Sequence, residues 1–127
     1  MNNKLEKLYA EINQLNDELP AELAKKIHLY AQVMQWIGKY HAQATMEYGR
    51  AYAERKNVYA HALVNTPGTG VVKEGQADID AYPYRLKEAE AEGEMHRWKN
   101  SLAATSEIIN ALKKQLDTLM REYNNAG

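Results

Sequence analysis

Apolar residues between positions 3 and 19 fall at Leu5, Leu8, Ile12, Leu15 and Leu19, with Glu and Lys over much of the remaining surface. Spacings of three and four in alternation are the a/d seam of a heptad helix. Two heptads are marginal alone in water, so segment 1–19 is expected to pack as an arm against a helix of this chain or of another copy. Pro20 closes that seam or opens the next helix, since proline is tolerated in a first turn. A second helical pattern runs from Ala21 to Val64. Its apolar face holds Leu23, Ile27, Tyr30, Met34 and Ile37, followed by Tyr48, Tyr52, Tyr59 and Leu63. Gly38 and Gly49 are where it would bend or weaken. At a rise of 1.5 Å, about 44 residues reach roughly 65 Å, too long for a compact domain.

The pattern stops at Asn65-Thr66-Pro67-Gly68-Thr69-Gly70, where turn-forming residues cluster. Residues 71–79 are ambiguous. Val71 and Val72 suit a brief extended stretch, and Asp78 or Asp80 suits the cap of the next helix, with Pro83 in its first turn. That helix is expected from Asp80 to Tyr123. Its second half carries the cleanest seam of the chain, Leu102, Thr105, Ile109, Leu112, Leu116, Leu119 and Tyr123. The pattern therefore predicts an all-α fold. Segment 1–19 is a short heptad helix, and 20–127 is a long helical hairpin with a Pro/Gly turn near 65–75. Two long helices cannot cover both their apolar seams, so a homo-oligomer is expected. The residues expected to hold it are Leu5, Leu8, Ile12, Leu15, Leu102, Ile109, Leu112 and Leu116.

Composition narrows the chemistry. The chain has 127 residues, a formal net charge of -1 and no cysteine, which excludes disulfides, thiolate metal sites and a cysteine nucleophile. No apolar run approaches the roughly 20 residues that span a bilayer, and the N-terminus lacks the apolar stretch of a signal peptide. The expected location is the cytoplasm, with no membrane partner. Thr66-Pro67-Gly68-Thr69-Gly70 is followed by no Gly-Lys-Ser/Thr and preceded by no strand pattern, so it is no P-loop. His28, His41, His61 and His96 lack the helix spacing of metal ligands. Glu88, Glu90, Glu92 and Glu94 alternate, which spreads them around a helix and leaves no paired carboxylates. The expectation is a protein that is not an enzyme, with no metal and no cofactor.

One segment has the composition of a ligand surface. Tyr48, Arg50, Tyr52, Arg55, Lys56 and Tyr59 interleave rings with cations, and Tyr48, Tyr52, Arg55 and Tyr59 share a helical face. Residues 21–60 hold six Lys or Arg against three Glu. Cations along a backbone with aromatic stacking surfaces is the combination that binds single strands with little sequence preference. The alternative is that the tyrosines form the wide end of an interhelical core, with the cations snorkelling beside them. A second cluster, Arg85, Lys87, Arg97, Trp98 and Lys99, lies near the start of the return helix. Trp98 there suits a packing anchor better than the alternative, a base-stacking platform.

The layout resembles the UvsY family of phage recombination mediators over roughly residues 21–120. The resemblance rests on Leu29-Tyr30 with Trp36, the run Glu54-Arg55-Lys56-Asn57-Val58-Tyr59, and the Gly-rich break at 65–75. The acidic segment leading to Trp98 and the stretch Ser106–Lys113 complete it; the heptad arm has no counterpart. The resemblance implies a non-catalytic protein, ring-like as a homo-oligomer, in the host cytoplasm of a phage. It would bind single-stranded DNA and assist loading of a RecA-like recombinase in the presence of a single-strand-binding protein. Arg50, Arg55 and Lys56 would contact phosphates and Tyr52 or Tyr59 would stack on bases, with Arg85 and Lys87 beside them. The reading of a different class is a helical scaffold, for example a phage adaptor or inhibitor, that binds another protein and no DNA.

Overall fold

A computed structural model describes residues 3–126; positions 1, 2 and 127, the outer ends of the two expected segments, lie outside the described residues. The described chain is 92% helix without a strand. Its elements are α1 (Asn3–Asn13), α2 (Pro20–Asn65) and α3 (Gly70–Ala126). They form two compact units. One combines α1, α2 up to Tyr40 and α3 from Lys99. The other is His41–Trp98.

In the first unit the heptad arm ends earlier than its leucines suggest. Leu5, Leu8 and Ile12 are buried, but Leu15 falls in the turn after α1 and Leu19 is exposed. Tight turns close α1, where Gln14 N–H donates to the Glu11 carbonyl and Leu15 N–H to that of Ile12, both at 3.2 Å. The connection is then fastened by side chains. Asn16 Oδ1 accepts from Glu18 N–H at 2.9 Å, and Lys26 Nζ pairs with Asp17 at 2.7 Å. Pro20 takes the first helical position of α2, where its missing N–H leaves no bond unmade.

The partner that α1 needs comes from the same chain. Lys4 Nζ lies 5.3 Å from the Trp36 ring centroid, and Gln115 Nε2 donates to the Asp17 carbonyl at 3.5 Å. With α1 present, α2 buries more than the single expected stripe. Leu29 and Val33 join Leu23 and Ile37 in the core, while Ile27, Tyr30 and Met34 are half-buried. This alters the oligomerisation argument. Leu5, Leu8, Ile12, Ile109 and Leu112 are covered within one chain, and Leu15, Leu102 and Leu116 are half-covered. Two long helices alone would leave these seams open, but here three helices share them. Thr105 is buried too, its hydroxyl satisfied by the Ser101 carbonyl at 2.8 Å.

In the second unit α3 starts at Gly70, ten residues before the expected position, so Val71–Ile79 is helix and not extended. Thr69 caps it: the Thr69 carbonyl accepts from Lys73 N–H at 3.0 Å and its hydroxyl from Val72 N–H at 3.5 Å. Asp78 and Asp80 therefore lie inside the helix and cap nothing; Asp80 accepts from Gln76 Nε2 at 2.7 Å. Pro83 also sits inside α3. It costs the helix one rung, because it has no N–H for the Ile79 carbonyl. What keeps the early turns helical is their buried face: Ala77 and Ala81 are 0% exposed. The turn at 66–69 depends on Gly68, at φ +117° with Val72 Cγ1 3.2 Å from where a Cβ would stand.

Candidate nucleic-acid interface

Within His41–Trp98 the covered face of α2 is Ala44, Tyr48, Ala51, Arg55, Val58 and Ala62, in steps of four and three. Tyr52 and Tyr59 stand beside that face. Tyr59 is half-buried and Tyr52 is 40% exposed. The expected common face of Tyr48, Tyr52, Arg55 and Tyr59 thus divides into an inner pair, Tyr48 and Arg55, and an outer pair. Small alanines made the true inner face faint in the hydrophobic pattern.

Arg55 reaches across to α3. Its Nε donates to Glu88 Oε2 in a short contact, and its Nη2 lies 3.5 Å from Glu88 Oε1. This two-point contact raises the guanidinium pKa above its ordinary value, the hydrogen bond being the leading cause. Glu92, and behind it burial and Glu88, pushes the Tyr48 phenol up as well. Arg55, Arg85, Glu88, Ala89 and Glu92 line an open depression of about 380 Å³. Arg85 is itself paired with Asp78 at 2.9 Å.

Several cations of this unit lie against rings. Lys56 Nζ is 5.0 Å from the Tyr52 centroid and Arg55 Cζ is 5.2 Å from it. Lys87 Nζ lies 5.2 Å from Tyr84. The fold therefore gathers Tyr52, Arg55 and Lys56 on one flank of α2. Arg50 is exposed but six residues from Lys56, which places it about 120° away around the helix. Lys87 is likewise turned away from Arg85, two residues or about 200° apart. Trp98 is buried, donating its indole N–H to Glu94 at 2.9 Å while Arg97 stacks at 4.9 Å from its ring, as suits a packing anchor.

Two features escaped the sequence reading. The first is Glu88 as the partner of Arg55: Glu88 lies farther beyond the turn than Arg55 lies before it, so simple antiparallel counting from the turn does not pair them. The second lies in the first unit, where Lys4 and Lys39 place Nζ at 5.3 and 4.3 Å from the half-buried Trp36 ring, with Tyr40 at 6.3 Å. Among the described residues neither lysine makes an ion pair.

No family model, curated protein or solved structure matches this chain. Among the described residues no group of three or more His, Asp or Glu could hold a metal ion, and no helix is long and apolar enough to cross a membrane.

Between His41 and Trp98 there are seven Lys and Arg against nine Asp and Glu. That balance opposes a broad electrostatic footprint. What the arrangement offers a polyanion is local: an aromatic face with an ammonium beside it, at Tyr52 and again at Trp36.

Proposed function

We propose that this chain is a non-catalytic recombination mediator that binds single-stranded DNA and assists loading of a RecA-like recombinase. The observation that carries the DNA part is the exposed Tyr52 ring with Lys56 held over it, a lysine that makes no ion pair among the described residues. A base can stack on such a ring while the ammonium meets the adjoining phosphate. Trp36 with Lys4 and Lys39 provides the same pairing in the other unit. Arg55 is committed to Glu88, so its role is to hold the hairpin and the position of Tyr52, and Lys56 carries the phosphate contact. Few charges per chain mean weak binding per chain. Several copies on one strand would supply the affinity through avidity. The recombinase and single-strand-binding protein belong to this reading through the resemblance to the UvsY family.

The second reading, a scaffold that binds another protein and no DNA, is favoured by the acidic balance of the hairpin unit and by its exposed apolar residues Val71, Ile79 and Tyr82. Fluorescence anisotropy with a labelled strand of roughly 30 nucleotides, and with the matching duplex, tests the two. Binding at low salt, stronger for the single strand, is expected of the mediator. Absence of binding to either at low salt leaves the scaffold.

A further inference from the structure

The first half of α3 carries two apolar stripes, and only one is used by the chain. The inner stripe includes Ala77 and Ala81, both 0% exposed. The other comprises Val72, Gly75, Ile79, Tyr82, Leu86 and Ala89, again in steps of three and four. It is offset from the inner one by two residues, about 200°, and so lies on the opposite side of the helix. Val72 is 53% exposed, Ile79 67%, Tyr82 61% and Leu86 50%. An a/d seam of this length facing water is the surface that a second helix covers. Gly75 belongs to the same stripe. A Cβ there would meet nothing within 4 Å in this chain, so no intrachain contact requires glycine, although glycine is disfavoured in a helix interior relative to alanine.

We infer that this stripe is a self-docking surface, on which the first half of α3 pairs antiparallel with the same segment of a second copy about a two-fold axis close to residues 80 and 81. In antiparallel pairing an a position meets a d position. One register serves the whole stripe: Ile79 faces Tyr82 of the second copy, Leu86 faces Gly75, and Val72 faces Ala89. Outside the central layer each large side chain meets a small one. The edge of the stripe supports the same register. Asp78 and Arg85 occupy the same flanking position one heptad apart, and this register brings Asp78 against Arg85 of the second copy, twice over by symmetry. In the single chain those two residues pair with each other across two turns, at 2.9 Å and with side chains 60% and 50% exposed. The same charges can be satisfied within one copy or between two. On the opposite flank Gln76 and Pro83, which face each other in this register, carry no charge, and Glu90 lies one heptad beyond Pro83. The surface does not depend on DNA binding and is separate from the leucine seams of the first unit.

Charge exchange in the full-length chain tests the register. Sedimentation equilibrium of the wild type should show self-association. Asp78→Arg and Arg85→Asp, each alone, set like charges opposite each other in both symmetric contacts, and each should weaken association by about ten-fold. An equimolar mixture of the two variants should recover wild-type association, because every flanking contact in the mixed pair is then Arg against Asp. Intrachain pairing cannot produce that recovery, since both variants lose it. Ile79→Asp should abolish association while leaving helix content intact, as its side chain already faces solvent. A wild type that stays monomeric at roughly 100 μM, a concentration well above that of a specific interface, overturns the inference. So does failure of the mixture to recover, or association indifferent to Ile79→Asp.

Discussion

Ile12→Ala decides whether α1 is part of this chain's own core. Ile12 is 1% exposed, the most covered residue of α1. Truncation to alanine removes three buried carbons. At about 0.8 kcal/mol each that is roughly 2.4 kcal/mol of transfer free energy, and incomplete collapse of the vacated space adds to it, giving about 3 kcal/mol. An unfolding entropy of roughly 2.1 cal/mol/K per residue over 127 residues converts this into a fall in Tm of about 11 °C. Leu19→Ala is the control, because Leu19 is 44% exposed, and it should cost less than about 1 kcal/mol. The assay is thermal unfolding followed by circular dichroism at two protein concentrations a hundred-fold apart. If α1 packs on its own chain, the Ile12→Ala penalty is the same at both. A penalty below about 1 kcal/mol would mean that α1 is not docked as described. A penalty that appears only at the higher concentration would mean that its seam is covered by another copy, as the heptad pattern alone also allowed.

Other expectations follow from the hairpin unit. Gly68→Ala forces a Cβ into the left-handed region at φ +117° and to 3.2 Å from Val72, and chemical denaturation should show a loss on the order of 1–2 kcal/mol. Ala81→Leu puts extra methylenes into a fully covered site and should cost about 1–3 kcal/mol, whereas the same change at exposed Ala60 should be near neutral. The Tyr48 phenol is held above its ordinary pKa chiefly by Glu92. Its folded pKa exceeds its unfolded value, so its contribution to stability is complete below pH about 10 and fades as pH rises through the raised value. Glu92→Gln should bring the phenolate absorbance transition of Tyr48 to lower pH; no movement would show that Glu92 is not the dominant neighbour.

Helix content and the turn were legible because their signals are strong and local: long 3-4 spacings and the cluster from Asn65 to Gly70. The start of α3 was less so. Its early turns are held by Ala77 and Ala81, whose small side chains barely register in a hydrophobic pattern, and Val71-Val72 imitates a strand. The same weakness hid the inner face of α2, where Ala44, Ala51 and Ala62 mark the true stripe and the larger Tyr52 and Tyr59 drew the eye to its edge. Which partner completes a heptad is also not a local property. The α1 leucines read equally well as an arm toward another copy, and only the three-dimensional arrangement shows Leu5 and Leu8 covered within this chain. At the site, Tyr52 and Lys56 were legible as types in a pattern. That Arg55 belongs to Glu88 and Arg85 to Asp78 required the fold of the hairpin.

The most direct test of the DNA-binding account is the salt dependence of single-strand binding by wild type, Lys56→Ala and Tyr52→Ala, compared on one oligonucleotide. Loss of one phosphate contact flattens the slope of log K against log salt by about 0.7, while loss of a stacked base lowers affinity by roughly 1–3 kcal/mol at unchanged slope. The account predicts the first behaviour for Lys56→Ala and the second for Tyr52→Ala, with wild-type helix content and native mass in both. Both variants binding like wild type, or a Tyr52→Ala protein that loses its fold, would contradict it.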